Sequence, residues 1–111
     1  MMKARSDAIF SQTGGCHVGR NFWWAFNASW PFAGLFIYRE ELVLSSFFRR
    51  YTFLRSQVSR ISRYHVFLSQ GLRIEHTIDA YPRFIVFWSF DVPELEEALS
   101  RNAFPVATPT I

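Results

Sequence analysis

The stretch that most constrains what this chain can fold into runs from residue 71 to 103, and it reads as two strands followed by one helix. Gly71-Leu72-Arg73-Ile74-Glu75-His76 alternates apolar and polar residues, which predicts a strand with Leu72 and Ile74 inward. Asp79-Ala80-Tyr81-Pro82 is turn chemistry, and Phe84-Ile85-Val86-Phe87-Trp88 is the continuous apolar run expected of a strand buried on both faces. Asp91 with Glu94 three residues on predicts a capping box, and Pro93 falls in the first turn, where its missing donor costs nothing. Val92, Leu95, Ala98 and Leu99 recur at spacings of three and four and form one apolar stripe. Asn102 is the predicted cap at the far end, Phe104 folds back on it, and Pro105 and Pro109 prevent continuation.

A helix with one apolar stripe needs a sheet to cover, and the upstream chain has the composition to supply it. Its 111 residues allow one domain with one modest core; half are hydrophobic and 19% are aromatic, mostly the strand former Phe. Residues 1–20, rich in Gly, Ser and Thr, are expected to be a flexible leader, residues 21–104 a single domain, and residues 105–111 a C-terminal tail. Strands are predicted at 22–27, with Phe22, Trp24 and Phe26 inward, and at 32–38, separated by a turn or bulge that confines Pro31. Further strands are predicted at 42–48 and 51–55, with Arg49-Arg50 as the turn between them. Val58 and Ile61, three apart, suggest a turn leading into a strand at 64–69, and Gln70-Gly71 the next connection. Residues 21–38 carry no charge and as a helix would reach about 27 Å, enough to approach a membrane span. Asn27, Ser29, Pro31 and Gly34 interrupt that run, so two strands are the better reading.

The resulting fold class is mainly β: about seven antiparallel strands in a bent sheet or split barrel, capped by one C-terminal helix. Ala28-Ser29-Trp30-Pro31-Phe32-Ala33-Gly34-Leu35, Leu42-Val43-Leu44 after an acidic turn, Gly71 to His76, and Ile85 to Trp88 before the helix carry a resemblance to small bacterial proteins of the pleckstrin-homology-like fold. The resemblance covers about Phe22 to Phe104 and implies no catalytic signature. Phosphoinositide-binding members place basic residues around the loop between the first two strands; here Asn27-Ala28-Ser29-Trp30 has none, so that function does not carry over.

Cys16 is the single cysteine, which excludes an intrachain disulfide, and no secretory signal follows the first residues, so a cytoplasmic location is expected. Cys16-His17 lacks further metal ligands at workable spacing, and Glu75 and His76 point to opposite faces of a strand and cannot form an acid–base pair. No phosphate-binding Gly loop or nucleophile motif occurs; the expectation is a non-enzyme with no cofactor and no metal.

Binding is the remaining class. Eleven of the twelve basic residues are Arg, and from Leu42 to Ile74 there are six arginines and no acid. Arg49, Arg50, Arg55, Arg60 and Arg63, with Tyr51, form a candidate binding rim, since guanidinium groups pair with phosphate or carboxylate. A solvated rim, or one paired with the acidic helix start, is the plainer reading. The net charge of +3 disfavours nucleic acid. Trp23, Trp24 and Trp30 are more than a small core holds and form a candidate self-association patch. The expected partner is therefore a protein or a second copy, giving a homo-oligomer, with an anionic lipid surface met through the Arg49 to Arg63 rim as the alternative.

Overall fold

The computed structural model describes residues 7–19, 25–46 and 49–107. In chain order these form β1 (Phe10–Gly19), β2 (Ala25–Ile37), β3 (Glu41–Ser46), β4 (Arg49–Leu54), β5 (Val58–Val66), β6 (Ser69–His76), β7 (Phe84–Trp88) and the helix α1 (Val92–Arg101). The seven strands make one antiparallel sheet in the order β4-β3-β2-β1-β7-β6-β5, curled into a half-barrel. Two meanders, β1 to β4 and β5 to β7, are thus joined along a single seam between β1 and β7.

That seam corrects the reading of residues 1–20 as a leader, because residues 10–19 are the central strand. Cys16 and Val18 are buried in the core, and Gly14 and Gly15, two of the glycines that suggested a loose segment, sit where β1, paired with β2 throughout, gains β7 as its second partner. A Cβ on Gly14 would lie 2.1 Å from the Trp88 carbonyl oxygen, so only glycine permits β1 and β7 to meet there. At the same point the β1–β2 register slips: Gly14 pairs with Ala33 and Cys16 with Ala28, leaving residues 29–32 of β2 as a bulge that contains the cis Trp30–Pro31 peptide. The two strands expected at 22–27 and 32–38 are therefore one interrupted strand from Ala25. Phe22, Trp23 and Trp24 lie outside the described residues.

The second correction concerns β4 and β5. Arg49 and Arg50 belong to β4, opposite Ser46 and Ser45, rather than to a turn. Val58 and Ile61 both face the core from an extended strand, because a register shift between Val58 and Arg60 inserts an extra residue; their spacing of three mimicked a helical turn. The β5–β6 connection is Phe67-Leu68, closed by the Val66–Ser69 pair, whereas Gly71 is needed inside β6: a Cβ there would lie 2.3 Å from the Phe87 carbonyl oxygen.

Leu72 and Ile74 point inward as predicted, and Phe84, Ile85, Val86 and Phe87 are all buried. Ile85 and Phe87 share the core with Val92, Leu95, Ala98 and Leu99 of α1. The other face of β7 is layered by rings: Tyr64 and His17 each stand edge-on to Phe84, and the Arg73 guanidinium lies 5.4 Å from its centroid. No helix among the described residues is long and apolar enough to cross a membrane.

The helix begins as predicted at Asp91, whose Oδ1 accepts from the Glu94 N–H at 3.1 Å. Only this half of the capping box forms; the Asp91 N–H donates instead to Ser89 Oγ at 2.9 Å. At the far end Asn102 is the cap, and the Phe104 and Ala103 amides donate to the Leu99 and Ser100 carbonyls at 3.0 Å each, which is a Schellman closure with Phe104 buried beneath. Ala103 occupies the left-handed position at φ 65°. Ala103→Gly is expected to raise stability by about 0.5–1 kcal/mol, because the Cβ clash at positive φ is removed; a lower denaturant midpoint for the variant would contradict this. Beyond the helix, Val106 forms a parallel bridge with Ile61, the Ile61 amide donating to Pro105 and the Ala107 amide to Ile61, so residues 105–107 of the expected tail lie along the β5 edge.

Candidate functional site

The turn Phe67-Leu68 sits at one end of the half-barrel. Beside it are the β2 bulge and the β7–α1 connection, since Gly15 and Gly71 both pair with Trp88 where these segments converge. Ser46 pairs with Ala33, which sets the beginning of β4, with Arg49 and Arg50, next to the bulge. Sequence periodicity sends the inner residues of each strand to the core, but these connecting segments have no core to face, and they carry the large apolar side chains left over.

Phe67 and Leu68 are 102% and 99% exposed, and Phe90 is 82% exposed. Trp30 and Phe32 project from the bulge and are each more than half exposed. Trp30 and Phe90 meet edge-to-face at 6.1 Å. Between them and Leu68 an open groove of about 330 Å³ runs over Gly15, Gln70 and Trp88. A second, of about 270 Å³, lies on the other flank of the bulge between Phe32, Pro31 and Phe36. The walls are fixed by hydrogen bonds: the Ser89 amide donates to the Gln70 carbonyl at 2.9 Å, and Gln12 Nε2 to the Asp91 carbonyl at 3.2 Å, so Phe90 is held outward on a braced connection.

Phe67 is unusual in its backbone as well. It takes the first place of a two-residue hairpin loop at φ 53°, a position that glycine occupies without strain and a bulky residue does not. Neither its exposure nor its conformation helps the fold.

The arginines singled out in the sequence do not form one rim. Arg49 and Arg50 are exposed at the apolar end, whereas Arg55 is at the other end of β4, where Nη1 donates to the Arg39 and Asn102 carbonyls at 3.2 and 3.3 Å and ties the β2–β3 connection to the end of α1. Arg60 is exposed on β5 opposite Glu75. Arg63 grips Glu96 of α1 through both Nε and Nη2, at 3.0 and 2.8 Å, and these hydrogen bonds, with the Glu96 charge, hold its guanidinium pKa above the ordinary value. The basic middle of the chain and the acidic helix thus meet within one molecule at this pair. Tyr51 is buried, its ring edge-on to Tyr81 at 5.2 Å, and offers no stacking surface. Of the tryptophan patch, Trp30 is exposed, and Trp23 and Trp24 lie outside the described residues.

The residues with possible acid–base or metal chemistry are dispersed. Cys16 lies buried on the inner side of β1, its thiol donating to Ser46 Oγ at 3.1 Å, while His17 stands on the outer side against Phe84 and Trp88. His76 is buried at the end of β6: its Nδ1 accepts from the Ile78 amide at 3.0 Å and its Nε2 lies 2.8 Å from the Pro82 carbonyl, two contacts that anchor the β6–β7 connection. Tyr81 of that connection accepts from the Thr52 amide at 3.1 Å and packs on Phe53, pinning the connection to β4. Among the described residues no group of three His, Cys, Asp or Glu side chains is placed to hold a metal ion.

Phe32, Phe67, Leu68 and Phe90 are the site residues that sequence patterning missed. Phe67 and Leu68 read as the end of a strand over 64–69, with the turn expected at Gln70-Gly71, and no turn-forming residue type marks them. Among known proteins, no family model, curated protein or solved structure matches this chain.

Proposed function

We propose that this chain is a non-catalytic binding and assembly module of the pleckstrin-homology-like fold, working through the apolar end that carries Trp30, Phe67, Leu68 and Phe90. The fold part of the reading is supported by the strand order, two meanders joined in one curled sheet with the apolar stripe of the C-terminal helix in its core. The binding part is supported by one observation above others: two adjacent large apolar side chains, fully in water, on a turn whose backbone would be more relaxed with glycine. Exposed apolar clusters of this kind on a small domain mark surfaces that become covered in use. Where no other partner is present, a second copy is the available cover.

Light scattering across a concentration series tests this reading. The average mass is expected to rise above 13.1 kDa with concentration for the natural chain, and to stay at that value for F67G/L68S. Equal masses for the two proteins at every concentration would overturn it.

A further inference from the structure

Gly14 and Gly71 are required because a carbonyl oxygen lies where their Cβ would be, but Gly34, inside β2, has no such reason. Its φ is not positive, and the nearest backbone atom to a Cβ there is the Gln12 carbonyl oxygen at an ordinary 3.8 Å. It is paired in regular register with Thr13 on one side and Ser45 on the other. Glycine inside a strand weakens it, and often marks a place where a ligand comes close. Here it forms the floor of the groove of about 270 Å³ on the Pro31 flank of the bulge.

The side chains around that floor form a cross. Along β2, Phe32 and Phe36 stand two residues away on either side, share the face of Gly34, and line the groove. Across the sheet one row runs from Thr13 through Gly34 and Ser45 to Arg50, over β1, β2, β3 and β4. Neighbouring strands lie about 4.8 Å apart, so the Thr13 and Ser45 Cα atoms are about 10 Å apart, with the space of one missing side chain between them. Arg50 is exposed, and neither its guanidinium nor the Thr13 and Ser45 hydroxyls make a hydrogen bond or ion pair with another described residue. The adjacent row on this face, Ser11, Phe36, Val43 and Thr52, carries no acid.

We propose that this slot binds a small planar aromatic carboxylate, with its ring over Gly34 between Phe32 and Phe36 and its carboxylate toward Ser45 and Arg50. Two aromatic walls favour a flat ring, which packs on them face-on or edge-on. A single guanidinium beside a hydroxyl matches one carboxylate, accepting two parallel hydrogen bonds from the fork, whereas a phosphate dianion would keep an unmatched charge. The slot lies on the other flank of the bulge from the groove beside Leu68, and its occupant is independent of the assembly reading of the Phe67-Leu68 turn.

The test is an NMR titration of the full chain with benzoate, read at the Gly34 and Ser45 amides, beside benzyl alcohol, acetate and phenyl phosphate. The natural chain is expected to bind benzoate saturably with a Kd on the order of 1 mM, as for a ligand of this size. Benzyl alcohol, which lacks the charge, and acetate, which lacks the ring, should each bind on the order of tenfold more weakly or less. Gly34→Ala should lose about tenfold, because the added methyl lies 3.0 Å from the Phe36 ring and presses that wall across the slot. R50Q should reduce benzoate to the level of benzyl alcohol, and an exposed side chain on an edge strand can be exchanged without loss of folding. F67G/L68S should bind benzoate as the natural chain does. Unshifted Gly34 and Ser45 amides, or equal binding by the natural chain, Gly34→Ala and R50Q, would overturn the site. Loss in F67G/L68S but not in Gly34→Ala would place the ligand in the other groove and overturn it as well, and tighter binding of phenyl phosphate than of benzoate would overturn the carboxylate assignment.

Discussion

Gly14→Ala is expected to destabilise the protein by about 3 kcal/mol or more, a large share of the stability of an ordinary small domain. The added methyl would lie 2.1 Å from the Trp88 carbonyl oxygen and 2.8 Å from the Phe87 ring. The ring can turn away; the carbonyl cannot, because β7 is held between β1 and β6 over Val86, Phe87 and Trp88. Gly71→Ala should behave alike from the opposite side of β7, where the obstruction is the Phe87 carbonyl at 2.3 Å. Gly34 provides the control, since a Cβ there meets only the Phe36 ring, at 3.0 Å, and a half-buried ring can shift. Urea unfolding of the three variants should give midpoints in which Gly34→Ala stays near the natural chain and the other two fall far below it. A Gly14→Ala midpoint no lower than that of Gly34→Ala would refute this account of the seam.

Phe87→Ala should lose about 3–5 kcal/mol, since the removed ring leaves a cavity in the core. Phe87 is fully buried near the end of β7 and belongs to the same cluster as Leu35, Ile74 and Leu95, so the loss reaches both meanders and the helix together. The expected signature is a lowered midpoint with an unchanged denaturant slope, as for one cooperative unit. Phe87→Leu, which keeps most of the volume, should cost under about 1.5 kcal/mol. A loss below about 1 kcal/mol for the alanine variant would mean that the two meanders do not depend on this side chain.

The parts of the fold that sequence patterning predicts well are those whose periodicity and burial agree. Leu72 and Ile74 alternate, residues 84–87 are buried on both faces, and α1 is capped at Asp91 and Asn102 as their side-chain chemistry requires. The number of strands also agrees, through two errors of opposite sign: β1 is missed and β2 is divided by its bulge. Both have one physical cause. A strand that bends between two partners needs glycine at the bend, and glycine lowers every local sign of a strand. The displaced β5–β6 turn has the same origin, because Gly71 marks close contact with Phe87 rather than the connection.

The candidate site was less legible. Its arginines share a stretch of sequence but β4 and β5 send them to different places, and pairing across the fold withdraws Arg55 and Arg63 from the surface end that keeps Arg49 and Arg50. The apolar tip escaped because Phe and Leu in a run of strand-like residues read as more strand. What identifies them is exposure together with a positive φ, and neither is visible in composition.

The position of β1 also sets the order in which a ribosome can deliver this fold. Its first partner, β2, follows it directly in the chain, but its second, β7, begins only at Phe84. Until β7 and α1 have left the exit tunnel, the segments that cover the inner face of β1 to β4 and the β1 edge in the folded protein are not yet available. A chain stalled before that point lacks the cover for the middle of its sheet, rather than for a margin.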